Sequence, residues 1–409
     1  MKEFFKVTDL ETVFHYIESF DPVGMETVPL NESHNRILAV DVVSDIDIPD
    51  FNRSIVDGYA VRASSTFGAS DGSPAFITVK GTVDMGEVPD FSIKSGQAAS
   101  ISTGGMLPKG ADSVVMIEHT EAIDESTIEV YKSVAPGQHV IESGEDIRNG
   151  NRILTAGIRL RPQETGLLAA IGAEKVKVYR KPKIGIISTG DEIVPVNETP
   201  KPGQIRDVNT HTLAGFILKS GGIPVPYGIV RDDFDSLFDI CSQAVEQSDM
   251  VFISGGSSVG SRDFTIDVLS KLPDPEILVH GISISPGKPT ILAKSRNKAI
   301  WGLPGHVVSA MVVFRIVVKP FIEHIGGLKS TPADKKLFPA KLSRNLSSAQ
   351  GRTDFIRVRV IEKEDGLWAE PVLGKSGLIH TMLKADGLIE IDINTEGLDK
   401  GTMVNVIPV

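Results

Sequence analysis

Cysteine is almost missing: Cys241 is the only one among 409 residues. That excludes a disulfide framework and any cysteine-built metal cluster, and it suits a reducing cytoplasm. Cys241 falls inside a helical pattern with no flanking motif, so it reads as a small buried side chain rather than a catalytic thiol. Basic charge is also short. Lys and Arg total 42 against 53 Asp and Glu, a formal net charge of −11. A general nucleic-acid binder would carry a basic face, so that class is set aside, although a local basic pocket for a small anion is not. Long apolar runs are lacking too. The nearest, MVVFRIVVKPFI, is interrupted by Arg315 and Lys319, and none reaches the length of a membrane span. The opening MKEFFKVTDLETVF is charged throughout without an apolar centre, so it is not expected to act as a signal peptide. There is no internal repeat and no low-complexity tract.

What is present is an ordinary globular balance, 41% hydrophobic and 23% charged, in a chain too long for one core; two to four domains follow. The organising stretch runs from Lys183 to about Gly327. KIGIISTGDE is a short apolar run ending in Ser, Thr and Gly. A helical pattern at Thr210–Ser220, the run IPVPYGIV, a second helical pattern at Phe234–Gln247 and the run MVFISGGSSVG follow. AIWGLPGH and a long apolar helix to about His324, bent near Pro320, close the stretch. Alternating strands and helices, each strand breaking into glycine, predict a βαβ domain with a parallel sheet and a ligand crevice beyond the strand ends. Those ends are Ser188–Glu192, Ser254–Gly260 and Leu303–His306.

Around it the expected division is as follows. Residues 1–26 form a helical segment, with a Thr8/Glu11 capping box, that lies against another domain or a second subunit. Residues 27–50 with 145–180 form a mixed α/β first domain, whose helix RPQETGLLAAIG has Pro162 in its first turn and Gly172 at its end. Residues 51–144 are a β-rich insert, 181–328 the α/β domain, and 329–409 a C-terminal β domain. Strict alternation at Phe355–Val360 puts Phe355, Arg357 and Arg359 on one strand face and Ile356, Val358 and Val360 on the other.

Three constellations carry chemistry. The glycine turn Ser254, Gly255, Gly256, Ser257 to Gly260 can present successive N–H groups to a phosphate or similar oxyanion. It matches neither the P-loop nor the dinucleotide pattern. Asp191 and Glu192 at one strand end and Asp263 after the glycine turn are hard oxygen donors suited to Mg²⁺ beside a phosphorylated ligand, or else solvated loop charges. Lys288 in SPGKPT is a point charge for an oxyanion, and Pro304, Gly305 and His306 lead into a helix whose first turn holds Ser309 beside free amides.

ISTGDE, the DVN at 207–209, SGGSSVGSRDF, SPGKP and GLPGH together resemble the MoeA family of molybdopterin molybdenumtransferases, to which the C-terminal part of gephyrin also belongs. FNRSIVDGYAV, ISTGGMLPKGADSVVMIE and SGEDIRNG resemble further blocks of it, so the likeness covers essentially the whole chain. It implies a central three-layer α/β/α molybdopterin-binding domain, a β-rich inserted domain and a C-terminal all-β barrel-like domain, in a homodimer with a shared active-site cleft. It implies Mg²⁺-dependent insertion of molybdate into adenylylated molybdopterin with release of AMP. The family's site residues match Asp57, Thr103, Asp191, Glu192, Asp263, Lys288, Ser309, Arg352 and Ser376. Lys288, Arg352, Ser309 and Ser376 suit an oxyanion, because they offer charge and hydrogen-bond donors. Partners implied are a second copy, the molybdopterin adenylyltransferase and cofactor-accepting enzymes, with no nucleic acid and no membrane.

The sequence departs from the pattern at Ser285, where a lysine is common, at His306 and Val307, where Asn and Pro are usual, and at Gly105. A tungstate-preferring paralogue, an adenylyltransferase-like enzyme on the same α/β domain, and a non-catalytic scaffold are the competing readings. The insert and the C-terminal domain favour the insertion step over adenylylation.

Overall fold

A computed structural model describes residues 7–255, 264–329 and 337–409. Its centre is a six-stranded sheet in the order Ile223–Val230, Lys183–Thr189, Met250–Ser254, Lys298–Leu303, Ile291–Ser295, Glu276–His280. The first four strands are parallel and the last two antiparallel. Side chains alternate across it. Ile184, Ile186, Met250, Phe252, Trp301 and Leu303 face one core, while Ile187, Val251, Ile253 and Ile300 face the other. A strand buried on both faces must be apolar at every position, which is why these runs carry no polar alternation. The helix Asn209–Lys219 and the stretch Val307–Ile325 cover the first face; Phe234–Gln247 and Phe264–Leu269 cover the second. This is the expected three-layer α/β/α arrangement. Cys241 is fully buried in the second layer, where burial pushes its thiol up to about 12.

The long apolar helix is continuous in path but not in winding. Val307–Val313 is α, Phe314–Val318 is a π turn and Lys319–Ile325 is α again. Pro320 has no N–H to give and its ring would crowd the carbonyl four residues back, and a wider turn just upstream relieves both.

The N-terminal helix is Leu10–His15, and its cap is Asp9 rather than Thr8: the Asp9 carboxylate accepts the Thr12 N–H at 2.8 Å. Thr8 instead bridges Ile282 in parallel, with its N–H donated to Gly281 O. Val13 and Phe20 bury themselves in the first core of the α/β domain, so this segment docks within its own chain. The strand Met25–Pro29 pairs antiparallel with Lys175–Tyr179, which closes the first domain around the insert. Within the insert, Ser113–Met116, Gly58–Val61, Gln97–Ile101, Ala75–Val83, Thr127–Val130 and Thr120–Ala122 lie side by side in one sheet.

The C-terminal barrel closes through Thr353–Lys363, which pairs on one side with Gly366–Pro371 and on the other with Gly387–Ile391. Its start also pairs in parallel with Ile284–Ser285 of the preceding domain. That short ladder fastens the barrel to the α/β domain beside the turn carrying Lys288. Among the described residues no helix is long and apolar enough to cross a membrane.

Arg180 ties the first domain to the central sheet. Its guanidinium donates to both Asp249 carboxylate oxygens, at 2.7 and 2.6 Å, and Lys183 N–H donates to Oδ2 at 2.8 Å. Burial pushes the Asp249 carboxyl up, but the Arg180 and Lys183 bonds together outweigh it and leave it below the ordinary value. A carboxyl lowered in the folded state contributes stability above its unfolded pKa and loses it as pH falls through the folded one. Asp249→Asn is expected to cost about 2 kcal/mol near pH 7 in urea unfolding, the scale of hydrogen bonds to a charged group. The gap to the wild type should begin to close below about pH 4; a gap independent of pH down to acid unfolding would show that the charge is immaterial.

Candidate active site at the switch point of the sheet

The chain leaves Lys183–Thr189 toward one edge of the sheet and returns to its other side at Met250–Ser254. The crevice beyond Thr189 and Ser254 is therefore the point where strand order reverses, the usual ligand position in open α/β sheets. Three strand ends converge there on glycine. Gly255 has φ +117°, and a Cβ on it would stand 2.1 Å from the Thr189 carbonyl oxygen. A Cβ on Gly305 would lie 3.7 Å from Gly255 Cα. No side chain fits at Gly255, which is why this strand breaks into glycine, whereas a Cβ on Gly305 would make only an ordinary contact.

Asn209, at the start of its helix, fastens two of the turns. Its Nδ2 donates to Ser254 Oγ at 2.7 Å and to Gly305 O at 2.9 Å. Asp207 caps the same helix by accepting the Thr210 N–H at 3.1 Å. The Asn209 Oδ1 is buried and has no partner among the described residues. An orphaned acceptor costs about 1–3 kcal/mol, so a ligand N–H arriving here would be well received.

The acids are arranged differently from the sequence expectation. Asp191 and Glu192 follow Gly190 and are exposed. The sequence reading missed Asp232, which follows the strand Ile223–Val230. Its Oδ1 accepts the Thr189 hydroxyl at 2.5 Å, and its own N–H lies 3.4 Å from Asp191 Oδ1. The strand-end rule that selected Asp191 applies equally to VRDD, and that signal was there to be used. Gly256, Ser257, Gly260 and Asp263 lie outside the described residues. Among those described, no three His, Cys, Asp or Glu side chains stand close enough to hold a metal ion. Mg²⁺ commonly takes only one or two carboxylates and completes its shell with water and substrate phosphate, so Asp191 with Asp232 fits it in donor chemistry.

A second group lies between the α/β domain and the barrel. The pairing of Ile284–Ser285 with Thr353–Asp354 sets the Lys288 turn beside the strand preceded by Arg352. Gly287, φ +118°, lets this turn sit on the helix, since a Cβ there would be 2.3 Å from Val313 Cγ2. Lys288 itself is exposed, and its carbonyl accepts from Ile282 N–H and Thr290 N–H, both at 2.9 Å. Arg352 Nε stands 2.9 Å from Asp354 Oδ1, and Ser348 Oγ donates to Oδ2 at 2.8 Å, so a buried carboxylate orients the guanidinium. His306 Nδ1 and Ser376 Oγ share a hydrogen bond of 2.9 Å. Val308 N–H donates to Ser376 O at 3.0 Å. The helix start after Pro304 is thus not a row of free amides, as its sequence suggests: a barrel residue occupies part of it. Ser309 is buried in this first turn at 5% exposure, so it is no open donor.

Asp57 and Thr103 form a third group, inside the insert. Asp57 Oδ1 accepts the Thr103 N–H at 2.7 Å and its hydroxyl at 3.0 Å. Gly58 must be glycine, because a Cβ would stand 1.9 Å from Val115 O. Among the described residues, no recorded hydrogen bond or ion pair joins Asp57 or Thr103 to the strand ends or to the barrel.

Fold and site together define a multidomain α/β protein with its crevice at the switch point of the sheet and a C-terminal barrel fastened beside it. Three family descriptions match in order: "MoeA N-terminal region (domain I and II)" at residues 8–172, "Probable molybdopterin binding domain" at 185–324 and "MoeA C-terminal region (domain IV)" at 339–409. The molybdopterin molybdenumtransferase of Bacillus subtilis is 34% identical over 93% of this chain and 89% of its own. That of Haemophilus influenzae is 34% identical over 95% and 94%. A molybdopterin biosynthesis MoeA protein of Pyrococcus horikoshii superposes with a TM-score of 0.86 at 32% identity, covering 99% of this chain and 100% of its own. The chain belongs to the MoeA family and is an enzyme.

Proposed function

We propose that the protein is a molybdopterin molybdenumtransferase that inserts molybdate into adenylylated molybdopterin and releases AMP. The observation that carries this reading is the ladder between Ile284–Ser285 and Thr353–Asp354. It brings a lysine turn of the α/β domain and an arginine of the barrel to one rim. Two cations from two domains suit a dianionic oxyanion, with Ser376 as a neutral donor beside them. The switch-point glycines and Asn209 then hold the ligand beyond the strand ends, Asn209 Oδ1 taking an N–H from one of its heterocycles rather than facing its phosphate. Mg²⁺, held through water by Asp191, Asp232 and Glu192, would offset charge on the phosphate oxygens. Attack by water on the adenylyl phosphorus breaks its anhydride bond to the pterin phosphate, and AMP leaves carrying the water oxygen; the two pterin sulfurs each bond molybdenum as one molybdate oxygen leaves as water or hydroxide. The protein's own part is to hold both anions in register and to keep their charges from repelling.

The Asp57–Thr103 pair, which makes no hydrogen bond to this rim among the described residues, belongs in this reading to the cleft of a second copy, making the enzyme a homodimer. A cytoplasmic site of action, exchange with the adenylyltransferase and delivery to cofactor-accepting enzymes complete the reading. Purified protein given the adenylate should release AMP only when molybdate is added, and chelation of Mg²⁺ should reduce the rate by tenfold or more. ATP consumption with unadenylylated molybdopterin would favour adenylylation instead. AMP release indifferent to molybdate would sink the proposal.

A further inference from the structure

Arg357 lies on the barrel strand Thr353–Lys363 and has no carboxylate partner among the described residues. It is half-buried, and burial pushes it down from the ordinary arginine value. Its fork is spent on neutral groups. Nη2 donates to Gly374 O at 2.6 Å and Nη1 to Thr381 Oγ1 at 2.6 Å. The Thr381 hydroxyl in turn donates to Leu378 O at 2.7 Å. Gly374 is pressed against Thr381, since a Cβ on it would lie 2.8 Å from Thr381 Cγ2. The guanidinium therefore closes residues 374–381 into a loop by bridging its two ends. The loop carries Ser376, and Ser376 is pinned a second time across the domain boundary, by His306 Nδ1 at 2.9 Å and Val308 N–H at 3.0 Å. Behind His306, Gly305 is held by Asn209.

We propose that Arg357 and His306 are the two jaws of a clamp that places the Ser376 hydroxyl at the oxyanion rim, both acting as positioning residues for the transfer reaction. A planar fork bridging two acceptors resists rotation in a way a lysine ammonium cannot. A half-buried cation without a counter-ion among the described residues is costly to keep for stability alone, and here it fastens a barrel loop held against the α/β domain. An asparagine amide, like an imidazole, can hydrogen-bond a serine hydroxyl. The contact is thus a requirement of position rather than of imidazole chemistry. The inference rests on the functional reading for its consequence, not for its geometry.

Two measurements test it separately. Amide hydrogen exchange across residues 374–381 should quicken at least tenfold in Arg357→Lys and in His306→Ala, with the rest of the barrel unchanged. Exchange like that of the wild type in both would overturn the clamp whatever the enzyme does. The second measurement is a double-mutant cycle on the KM for molybdate. His306→Ala should raise it about tenfold with kcat at saturating molybdate within twofold, and His306→Asn should restore it. Ser376→Ala combined with His306→Ala should be no worse than Ser376→Ala alone, because His306 acts only through Ser376. Fully multiplicative effects, or no rescue by Asn, would overturn the positioning role. If the wild type shows no molybdate-dependent turnover, the functional reading fails by itself, and the same cycle is then read from calorimetric titration with molybdate.

Discussion

Gly255→Ala is expected to lose about a hundredfold in molybdate-dependent AMP release while the chain remains folded. The added methyl would stand 2.1 Å from Thr189 O and 3.1 Å from Thr189 C, both backbone atoms in the neighbouring strand. Neither can swing aside as a side chain could, so the two strand ends must part by about 1 Å to restore van der Waals contact. Displacement on that scale at a reacting site costs about 10²-fold. The left-handed backbone adds strain of about 1–3 kcal/mol, which at this domain size lowers Tm by about 2–4 °C per kcal/mol. Gly203→Ala is the control. Gly203 also has positive φ, +90°, but an added Cβ meets nothing within 4 Å, so it should melt slightly lower and turn over normally. Near-wild-type turnover in Gly255→Ala would mean that this turn does not shape the site.

The largest stability loss should come from Trp301→Ala. Trp301 is fully buried in the middle of the central sheet and meets Phe321 edge to face at 4.9 Å between ring centroids. Truncation to alanine leaves a cavity beneath the helix Lys319–Ile325 and should cost about 3–5 kcal/mol, visible as a melting shift of roughly 6–20 °C. Trp301→Phe should behave differently. The indole Nε1–H is buried with no partner among the described residues, a standing cost of about 1–3 kcal/mol that phenylalanine removes. The lost volume works against that gain, so the net change should stay within about 1.5 kcal/mol. A loss in Trp301→Phe well above that range would show that the indole N–H is satisfied after all.

Much of the central domain was readable from local pattern. The helix Phe234–Gln247 has the bounds its periodicity suggests, and Asp233 caps it by accepting the Ser236 N–H at 2.9 Å. The parallel strands showed as unbroken apolar runs ending in glycine. The motif resemblance named the family, which the matched regions bear out. Elsewhere local pattern misled. Thr8 with Glu11 has the form of a capping box, yet Asp9 caps the helix because Thr8 is drawn into a bridge with Ile282. Ser309 has the position of a helix N-terminal donor, yet a barrel residue seventy positions along the chain from His306 occupies the Val308 amide.

The sequence by itself determined the parallel apolar strands that end in glycine, the helix Phe234–Gln247 and which family this is. These depend on period, steric allowance and motif spacing, all short-range along the chain. Tertiary structure alone decided that Asp232 joins Asp191, that Arg352 is oriented by Asp354, and that Ser376 is held between His306 and the loop closed by Arg357. The reason is that hydrogen bonds are made over about 3 Å of space, and residues far apart in the chain come that close only after the domains have packed.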